Sequence, residues 1–256
     1  MRILLLGHYE IASNLGLSLI ADALKAHELR IMLSAQPSPK ADTPAALVEL
    51  ARYESQLCEV LDAKARRQGP YGFQALAKRT GHPVAILKNP NSDQGHAAIS
   101  RFKPDLIVSC RYRRILRDEA IALARFGVIN LHSGLLPQYR GVMATFWAML
   151  AQEKEIGATL HYIADSSIDT GAVIAQRSIA LQANASYLHN VLRLYPASQH
   201  LVAQAVQQIE ATGKATSMPQ QDAGSYFSAP QSSDLARFEQ KGLILFDGAE
   251  LDAVIS

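Results

Sequence analysis

The stretch GVINLHSGLLPQYRG, residues 127–141, ends an apolar run with two polar side chains and continues into a turn rich in proline and glycine. Asn130 and His132 are two positions apart, so on a strand their side chains point to the same face. Ligands of parallel α/β sheets bind outside the carboxyl ends of the strands, which is where this pair falls. We interpret the pair as candidate site residues; the alternative is two buried polar groups that only satisfy each other structurally.

Short apolar runs surround this stretch and predict the fold. Five of them are predicted strands: RILLLG (2–7), LRIMLS (29–34), PVAIL (83–87), DLIVSC (105–110) and GVINLH (127–132). Helix-like segments fill most of the gaps, a rhythm that indicates βαβ units. Two later runs, 157–164 and 172–180, flank the loop DSSIDTG and suggest an antiparallel pair. The sequence therefore predicts an α/β class fold: a doubly wound, mainly parallel but mixed sheet with a small C-terminal appendage.

The chain divides into three predicted parts. Residues 1–182 form the main domain, 183–213 a long helix packed on it and disturbed near Pro196, and 214–256 a small tail or subdomain. In the tail, SSDLARFEQKG predicts a helix with Ser232 or Ser233 as its cap and Gly242 as its stop. Residues 35–81 open as a loop and continue as a rather polar helical stretch, and the pattern does not fix their place in the fold.

Composition excludes several classes of protein. Hydrophobic residues make up 48% of the 256 positions and charged residues 19%, and no window contains the roughly eighteen apolar residues of a membrane span. The N-terminal run MRILLLGHYE suits a buried strand better than a secretory signal, so we expect a cytoplasmic protein. Cys58 and Cys110 lie far apart, which indicates neither a disulfide framework nor a metal site. A net charge of +2 is too small to indicate a nucleic-acid partner.

Three motifs carry a resemblance to a known family. They are NLHSGLLPQYRG, GATLHYIADSSIDTG with Asp169, and, more weakly, RRIL at 113–116. Together they resemble the 10-formyltetrahydrofolate-dependent formyltransferases, which include glycinamide ribonucleotide, methionyl-tRNA and sugar-nucleotide formyltransferases. The resemblance covers about residues 1 to 180. It implies a Rossmann-like formyltransferase fold and 10-formyltetrahydrofolate as co-substrate, with no metal.

The resemblance also assigns catalytic roles to Asn130, His132 and Asp169. A formyl group that moves from the folate N10 to a primary amine passes through a tetrahedral intermediate with an oxyanion, and one donor aimed at it is worth roughly 3 to 4 kcal/mol. Asn130 supplies an amide donor. His132 can donate to the oxyanion and shuttle protons. Asp169 holds the charge state of the imidazole or relays protons through water. His161, on the strand after the motif, is interpreted as structural.

Binding residues follow from the same resemblance and from position. It implies that one wall of the folate pocket contains Arg114, Ile115 and Leu116, and that the opposite wall contains Ala164, Asp165, Ser166 and Ile168. By position, the candidate acceptor contacts are Tyr9, Glu10 and Arg140. The arginine run at 111–117 is either a solvated face or a site for an anionic tail or acceptor.

Two differences from the related enzymes narrow the range of expected acceptor substrates. Only about 75 residues follow the core, fewer than the additional β-barrel of methionyl-tRNA enzymes needs, so we expect no tRNA substrate. GHYEIASNLGL replaces the glycine-rich phosphate loop of glycinamide ribonucleotide enzymes and leaves fewer unhindered N–H groups for a phosphate. The expected acceptor is the amine of an amino sugar nucleotide, an amino acid or a peptide. Formylfolate hydrolysis, glycinamide ribonucleotide formylation, a non-catalytic nucleotide-binding module and a homodimer stay open.

Overall fold

The computed structural model describes residues 1–36, 40–65, 71–222 and 224–248. In chain order the elements are β1 (Arg2–His8), α1 (Ile11–Ala23), β2 (Glu28–Ser34), α2 (Ala45–Ala65), α3 (Phe73–Thr80), β3 (Ala85–Leu87), α4 (Asp93–Phe102), β4 (Leu106–Ser109), α5 (Asp118–Ile121), β5 (Val128–His132), β6 (Arg140–Gly141), α6 (Ala144–Leu150), β7 (Glu155–Ile163), β8 (Val173–Ala180), α7 (Tyr187–Thr212), β9 (Tyr226–Phe227) and α8 (Ser232–Gln240).

Seven strands form one mixed sheet in the order β3-β2-β1-β4-β5-β7-β8. The first five strands in this order, β3, β2, β1, β4 and β5, run parallel to one another. Strand β7 runs antiparallel to both β5 and β8. This arrangement confirms the predicted α/β class, the five apolar runs and the antiparallel pair. The first of these runs is continuous rather than alternating because β1 lies at the centre of the sheet and is covered on both faces.

The core lies on both faces of the sheet. Ile3 and Leu5 of β1 belong to the cluster under α1 and α7, and Leu4 and Leu6 belong to the cluster under α4 and α5. This alternation follows from the two-residue repeat of a strand. Each of these side chains is fully buried. The central strand is therefore fixed from both sides, which gives the strand ends a rigid base.

The long C-terminal helix is α7, which packs against α1, β7 and β8. Ser186 caps it by accepting a hydrogen bond from the His189 N–H, and Gly213, with φ of 83°, ends it. The helix continues through Pro196. Its observed range is a few residues shorter than the predicted 183–213. The division at 182 and 213 into separate units stays a prediction.

Two regions differ from or add to the expectations. Residues 45–65 and 73–80, which the pattern left unplaced, form α2 and α3 beside α1. In the tail, the cap of α8 is Gln231 and not Ser232 or Ser233, because the Asp234 carboxylate accepts a hydrogen bond from the Gln231 N–H at 3.0 Å. Gly242, with φ of 72°, follows the end of α8 as predicted. Within the described residues, we find no helix with the length and apolar character of a membrane span.

Candidate active site

Strand pairing brings the predicted polar residues together. Asn130 and His132 lie on β5, and the antiparallel neighbour β7 places His161 opposite Asn130. Asp169 lies in the loop that connects β7 to β8. Because this loop returns to the carboxyl end of β5, a residue distant in sequence reaches the two side chains on the strand.

Asp169 is the centre of the group. Its Oδ2 lies 3.5 Å from His132 Nδ1 and its Oδ1 lies 3.4 Å from His161 Nε2. The Gly141 N–H donates to Oδ2 at 2.9 Å. Burial raises the pKa of the carboxyl, but the charge of His132, the contact with His161 and the hydrogen bond from Gly141 outweigh it and bring the pKa down to about 2. Asp169 is therefore ionised at neutral pH.

The orientation of His132 follows from one hydrogen bond. Its Nε2 donates to the Tyr139 carbonyl at 2.7 Å, and a carbonyl oxygen can only accept. The Nε2 atom therefore carries a hydrogen, and Nδ1 is the nitrogen that faces Asp169. Only Nδ1 can gain or lose a proton without breaking the contact with Tyr139. His132 thus exchanges protons on the side of the carboxylate.

His161 takes part in the site, which the sequence interpretation missed. Its Nδ1 donates to the Tyr162 carbonyl at 2.9 Å, so in the neutral ring Nε2 accepts from the Asn130 Nδ2 at 3.1 Å. The ring is buried, with 1% of its surface exposed. This contact fixes the rotation of the Asn130 amide and leaves the second Nδ2 hydrogen for another partner. A signal existed in the sequence, since His161 lies in the motif GATLHYIADSSIDTG that also contains Asp169.

A cavity of about 760 Å³ opens beside this group. Asn130, His132 and Asp169 all line it. Of the predicted folate contacts, Arg114, Ile115, Leu116 and Ile168 also line it. The wall residues in the described part of the chain do not include Ala164, Asp165 or Ser166; the Asp165 carboxylate instead accepts a hydrogen bond from the Ser167 N–H.

The predicted acceptor contacts lie elsewhere. Tyr9 stacks on Phe73, with 5.2 Å between ring centroids, and donates to Asp62 at 3.0 Å. Glu10 is buried and paired with arginines behind the cavity wall. Neither residue, nor Arg140 on β6, is among the described residues that line the cavity. For Tyr9 and Glu10 the physical reason is that α2 and α3, which the sequence did not place, pack at the end of β1 through Asp62 and Phe73. A contact between these three residues and an acceptor stays a prediction.

Other elements supply that part of the wall. The start of α2 contributes apolar and acidic side chains, among them Leu47, Leu50 and Glu54, and the segment after β4 contributes Arg111 and Arg113. Residues 229–231, between β9 and α8, also line the cavity. The arginines were visible in the sequence as a charge run, whereas nothing in the pattern indicated that α2 or residues 229–231 would reach the site.

Within the described residues, no group of three or more His, Cys, Asp and Glu side chains is arranged to hold a metal ion. The arrangement can instead offer an amide donor, an imidazole that exchanges protons and an ionised carboxylate at a cavity wall. A mixed α/β sheet with this group at its strand ends defines a protein with a small-molecule site.

Comparison with known proteins identifies the family. The family model described as formyl transferase matches residues 41–205, and the chain belongs to this family. A curated relative, the bifunctional polymyxin resistance protein ArnA of Wigglesworthia glossinidia brevipalpis, is 38% identical over 100 residues. That match covers 39% of this chain and 15% of the relative, so the chain spans a small part of the relative's length.

Solved structures show the same fold. A 4-N formyltransferase from Francisella tularensis matches with a TM-score of 0.59 and 17% identity, over 89% of this chain and 76% of that one. The formyltransferase PseJ from Anoxybacillus kamchatkensis, in complex with UDP-4,6-dideoxy-4-formamido-L-AltNAc and tetrahydrofolate, matches with a TM-score of 0.52 and 23% identity, over 100% and 98% of the two chains. These likenesses support the Rossmann-like sheet topology.

Proposed function

We propose that the protein is an N-formyltransferase that moves the formyl group of 10-formyltetrahydrofolate to the primary amine of a small acceptor. The observation that carries the proposal is the convergence of Asn130, His132 and Asp169 on one wall of the cavity. Membership of the formyl transferase family supports it. The three residues are proposed as the catalytic group, each with a role that its geometry allows.

The cavity wall fits a folate. Ile115 and Ile168 are 51% and 37% exposed, although apolar side chains of this size are usually buried. Both line the cavity beside Leu116 and Arg114. A flat aromatic ring would cover these apolar side chains, and the Arg114 guanidinium would suit a glutamate carboxylate. When bound, 10-formyltetrahydrofolate supplies the formyl carbon on a tertiary nitrogen.

The residues of the chain supply hydrogen bonds and proton transfer. The free Nδ2 hydrogen of Asn130 donates to the formyl oxygen as negative charge develops on it. The attacking amine must lose a proton, and the nitrogen that releases the formyl group must gain one. His132 Nδ1 accepts the first proton, because the ionised Asp169 stabilises the imidazolium that results. The same nitrogen then donates a proton to the folate nitrogen that releases the formyl group.

The acceptor class is proposed from the relatives. PseJ was solved with a formamido sugar linked to UDP, and the Francisella enzyme is described as a 4-N formyltransferase. We propose the amine of a nucleotide-linked amino sugar as the acceptor, with no tRNA partner.

The experiment that tests the function uses an acceptor panel. The protein is incubated with 10-formyltetrahydrofolate and with nucleotide-linked amino sugars, amino acids or no amine, while tetrahydrofolate release is followed. Release that depends on a sugar amine is the expected result. Equal release without any amine would identify a hydrolase. No release with any acceptor, despite folate binding, would contradict both and favour a non-catalytic module.

A further inference from the structure

A charge cluster of Glu10, Glu54, Arg111 and Arg113 lies at the cavity wall, and Glu10 is its one member that does not line the cavity. Glu10 accepts hydrogen bonds from both guanidinium groups: from Arg111 Nε and, at 3.1 Å, Nη2, and from Arg113 Nη2. Glu54 on α2 is further away. Its carboxylate oxygens lie 3.5 Å from Arg111 Nη2 and 3.8 Å from Arg113 Nη2. Glu10 is therefore the closely paired carboxylate and Glu54 the loosely paired one.

The geometry assigns a proton to Glu54. The side chains of Glu10 and Glu54 are only 2% and 3% exposed. Within the cluster, the hydrogen bonds of both guanidinium groups go to Glu10, so Glu54 has only the longer ion-pair contacts. The buried Glu54 Oε1 has no hydrogen-bond partner among the described residues. An ionised carboxylate in that position would have only these longer contacts with the two arginines to offset its burial. In agreement, burial and then the charge of Glu10 raise the pKa of Glu54 to about 8.

The tyrosine, cysteine and histidine side chains around the cluster are neutral at pH 7. Tyr187 of α7 has its pKa raised to about 12 by burial, and burial also raises the pKa of Cys58 on α2. His8, beside Glu10, has its pKa lowered to about 4 by burial and by Arg113. Two arginines and one ionised carboxylate therefore leave one uncompensated positive charge.

Arg113 presents this charge to the cavity. Its side chain is 36% exposed, whereas that of Arg111 is 15% exposed, and both line the cavity. Only Nη2 of Arg113 is engaged by the described residues, which leaves Nε and Nη1 available as donors. A guanidinium edge of this kind matches phosphate or carboxylate oxygens.

We propose that Arg113 binds an anionic group of the acceptor and that the buried Glu54, through its proton, sets how strongly that group binds. With the proton present, the positive charge of Arg113 is available. When the proton leaves, the second carboxylate cancels that charge and the anion binds more weakly. The identity of the anion carrier as a nucleotide-linked amine rests on the proposed function; the anion site itself does not.

The test measures binding of UDP by calorimetry, without folate, at about pH 7 and about pH 9.5, where the diphosphate stays ionised. With a Glu54 pKa of about 8, the wild-type affinity should fall tenfold or more between the two pH values. Glu54→Gln keeps the shape and hydrogen-bond donor of the protonated acid, so its affinity should change less than twofold. Arg113→Gln should lose most of the binding at both pH values.

Arg117→Gln is the matched control, because Arg117 is an exposed arginine of the same run that does not line the cavity. It should bind UDP as the wild type does. Wild-type affinity that is independent of pH, pH dependence that persists in Glu54→Gln, or unchanged binding by Arg113→Gln would each overturn the inference. Thermal unfolding of every variant checks that it folds.

The two proposals fail separately. If UDP binding does not depend on pH or on Arg113 while an amine still stimulates tetrahydrofolate release, the proposed anion site is wrong and the formyltransferase function stands. If UDP binds with the expected pH dependence but no acceptor accepts a formyl group, the proposed function is wrong and the anion site stands.

Discussion

Asn130 donates one Nδ2 hydrogen to the His161 ring at 3.1 Å, and this contact decides where its other hydrogen points. The Nε2 atom can accept only while the ring is neutral, since its Nδ1 hydrogen is committed to the Tyr162 carbonyl. A proton on Nε2 would turn that atom from an acceptor for Asn130 into a donor toward Asp169, 3.4 Å away. We therefore propose His161 as a positioning residue for the amide, which acts on the proposed reaction through Asn130.

His161→Leu tests this role. Loss of one hydrogen bond of about 1 kcal/mol from the transition state should lower kcat about fivefold to tenfold. The KM for 10-formyltetrahydrofolate should stay near the wild-type value, because the ring does not have to contact the folate. His200→Leu, an exposed histidine on α7, is the control. A wild-type kcat in His161→Leu, measured by steady-state kinetics, would remove the positioning role.

Two of the proposed catalytic residues, Asn130 and Asp169, should give a stronger effect when replaced. Asn130→Ala removes the donor to the formyl oxygen, and kcat should fall by about 10²- to 10³-fold. Asp169→Ala removes the charge that stabilises the His132 imidazolium, so a similarly large loss is expected. Both variants should melt within a few degrees of the wild type. The control Glu239→Ala removes an exposed carboxylate on α8. Near-wild-type turnover in either site variant would contradict the assigned roles.

At the scale of elements, the short strand pair β6–β9 connects the tail to the site. Gly141 on β6 pairs with Phe227 on β9 and donates its N–H to Asp169. Its φ is 97°, and an added Cβ would lie 2.2 Å from the Phe227 carbonyl oxygen. Only glycine fits here without moving the backbone.

Gly141→Ala should therefore damage both stability and activity. Strain and the contact with Phe227 should lower the free energy of unfolding by about 2 to 3 kcal/mol. The kcat value should also fall, because displacement of the Gly141 N–H frees the Asp169 carboxylate. Gly213→Ala is the matched control, since Gly213 has a similar φ of 83° with no atom near the added Cβ. The free energy of unfolding in urea and kcat are measured for the two variants. If Gly141→Ala and Gly213→Ala change these two quantities equally, the β6–β9 contact does not matter.

At the scale of the molecule, buried carboxylates make stability depend on pH. The pKa of Glu54 is raised to about 8, so between its unfolded value of about 4.5 and pH 8 the folded state holds a proton that the unfolded state has lost. The free energy of unfolding should fall as pH rises through this range and level off above about pH 8. Asp169 acts in the opposite direction: its pKa of about 2 gives stability that is present above about pH 4 and lost as pH falls toward 2.

Urea unfolding from about pH 4 to about pH 9 measures this dependence. Glu54→Gln should lose most of the decline between pH 5 and pH 8, because glutamine carries no proton to release. The variant should also be more stable than the wild type above pH 8. Parallel curves for the two proteins across the range would mean that Glu54 is ionised at neutral pH.

The sequence by itself predicted the strands, the antiparallel end of the sheet and the residues that are proposed to react. Continuous apolar runs define buried strands, and the two-residue spacing of Asn130 and His132 sets their common face, because both are local properties of the backbone. The carboxylate of Asp169 was found through its motif, and the loop after β7 brings it to 3.5 Å from the imidazole.

Only the tertiary structure decided what surrounds that group. It placed α2 over the end of β1, moved Tyr9 and Glu10 away from the cavity wall, and brought residues 229–231 to it. It also placed Glu54 beside Glu10, where burial and then the charge of Glu10 raise the pKa of Glu54. These contacts join residues far apart in the chain, and their energies depend on burial and on neighbouring charge, which no local pattern of residues contains.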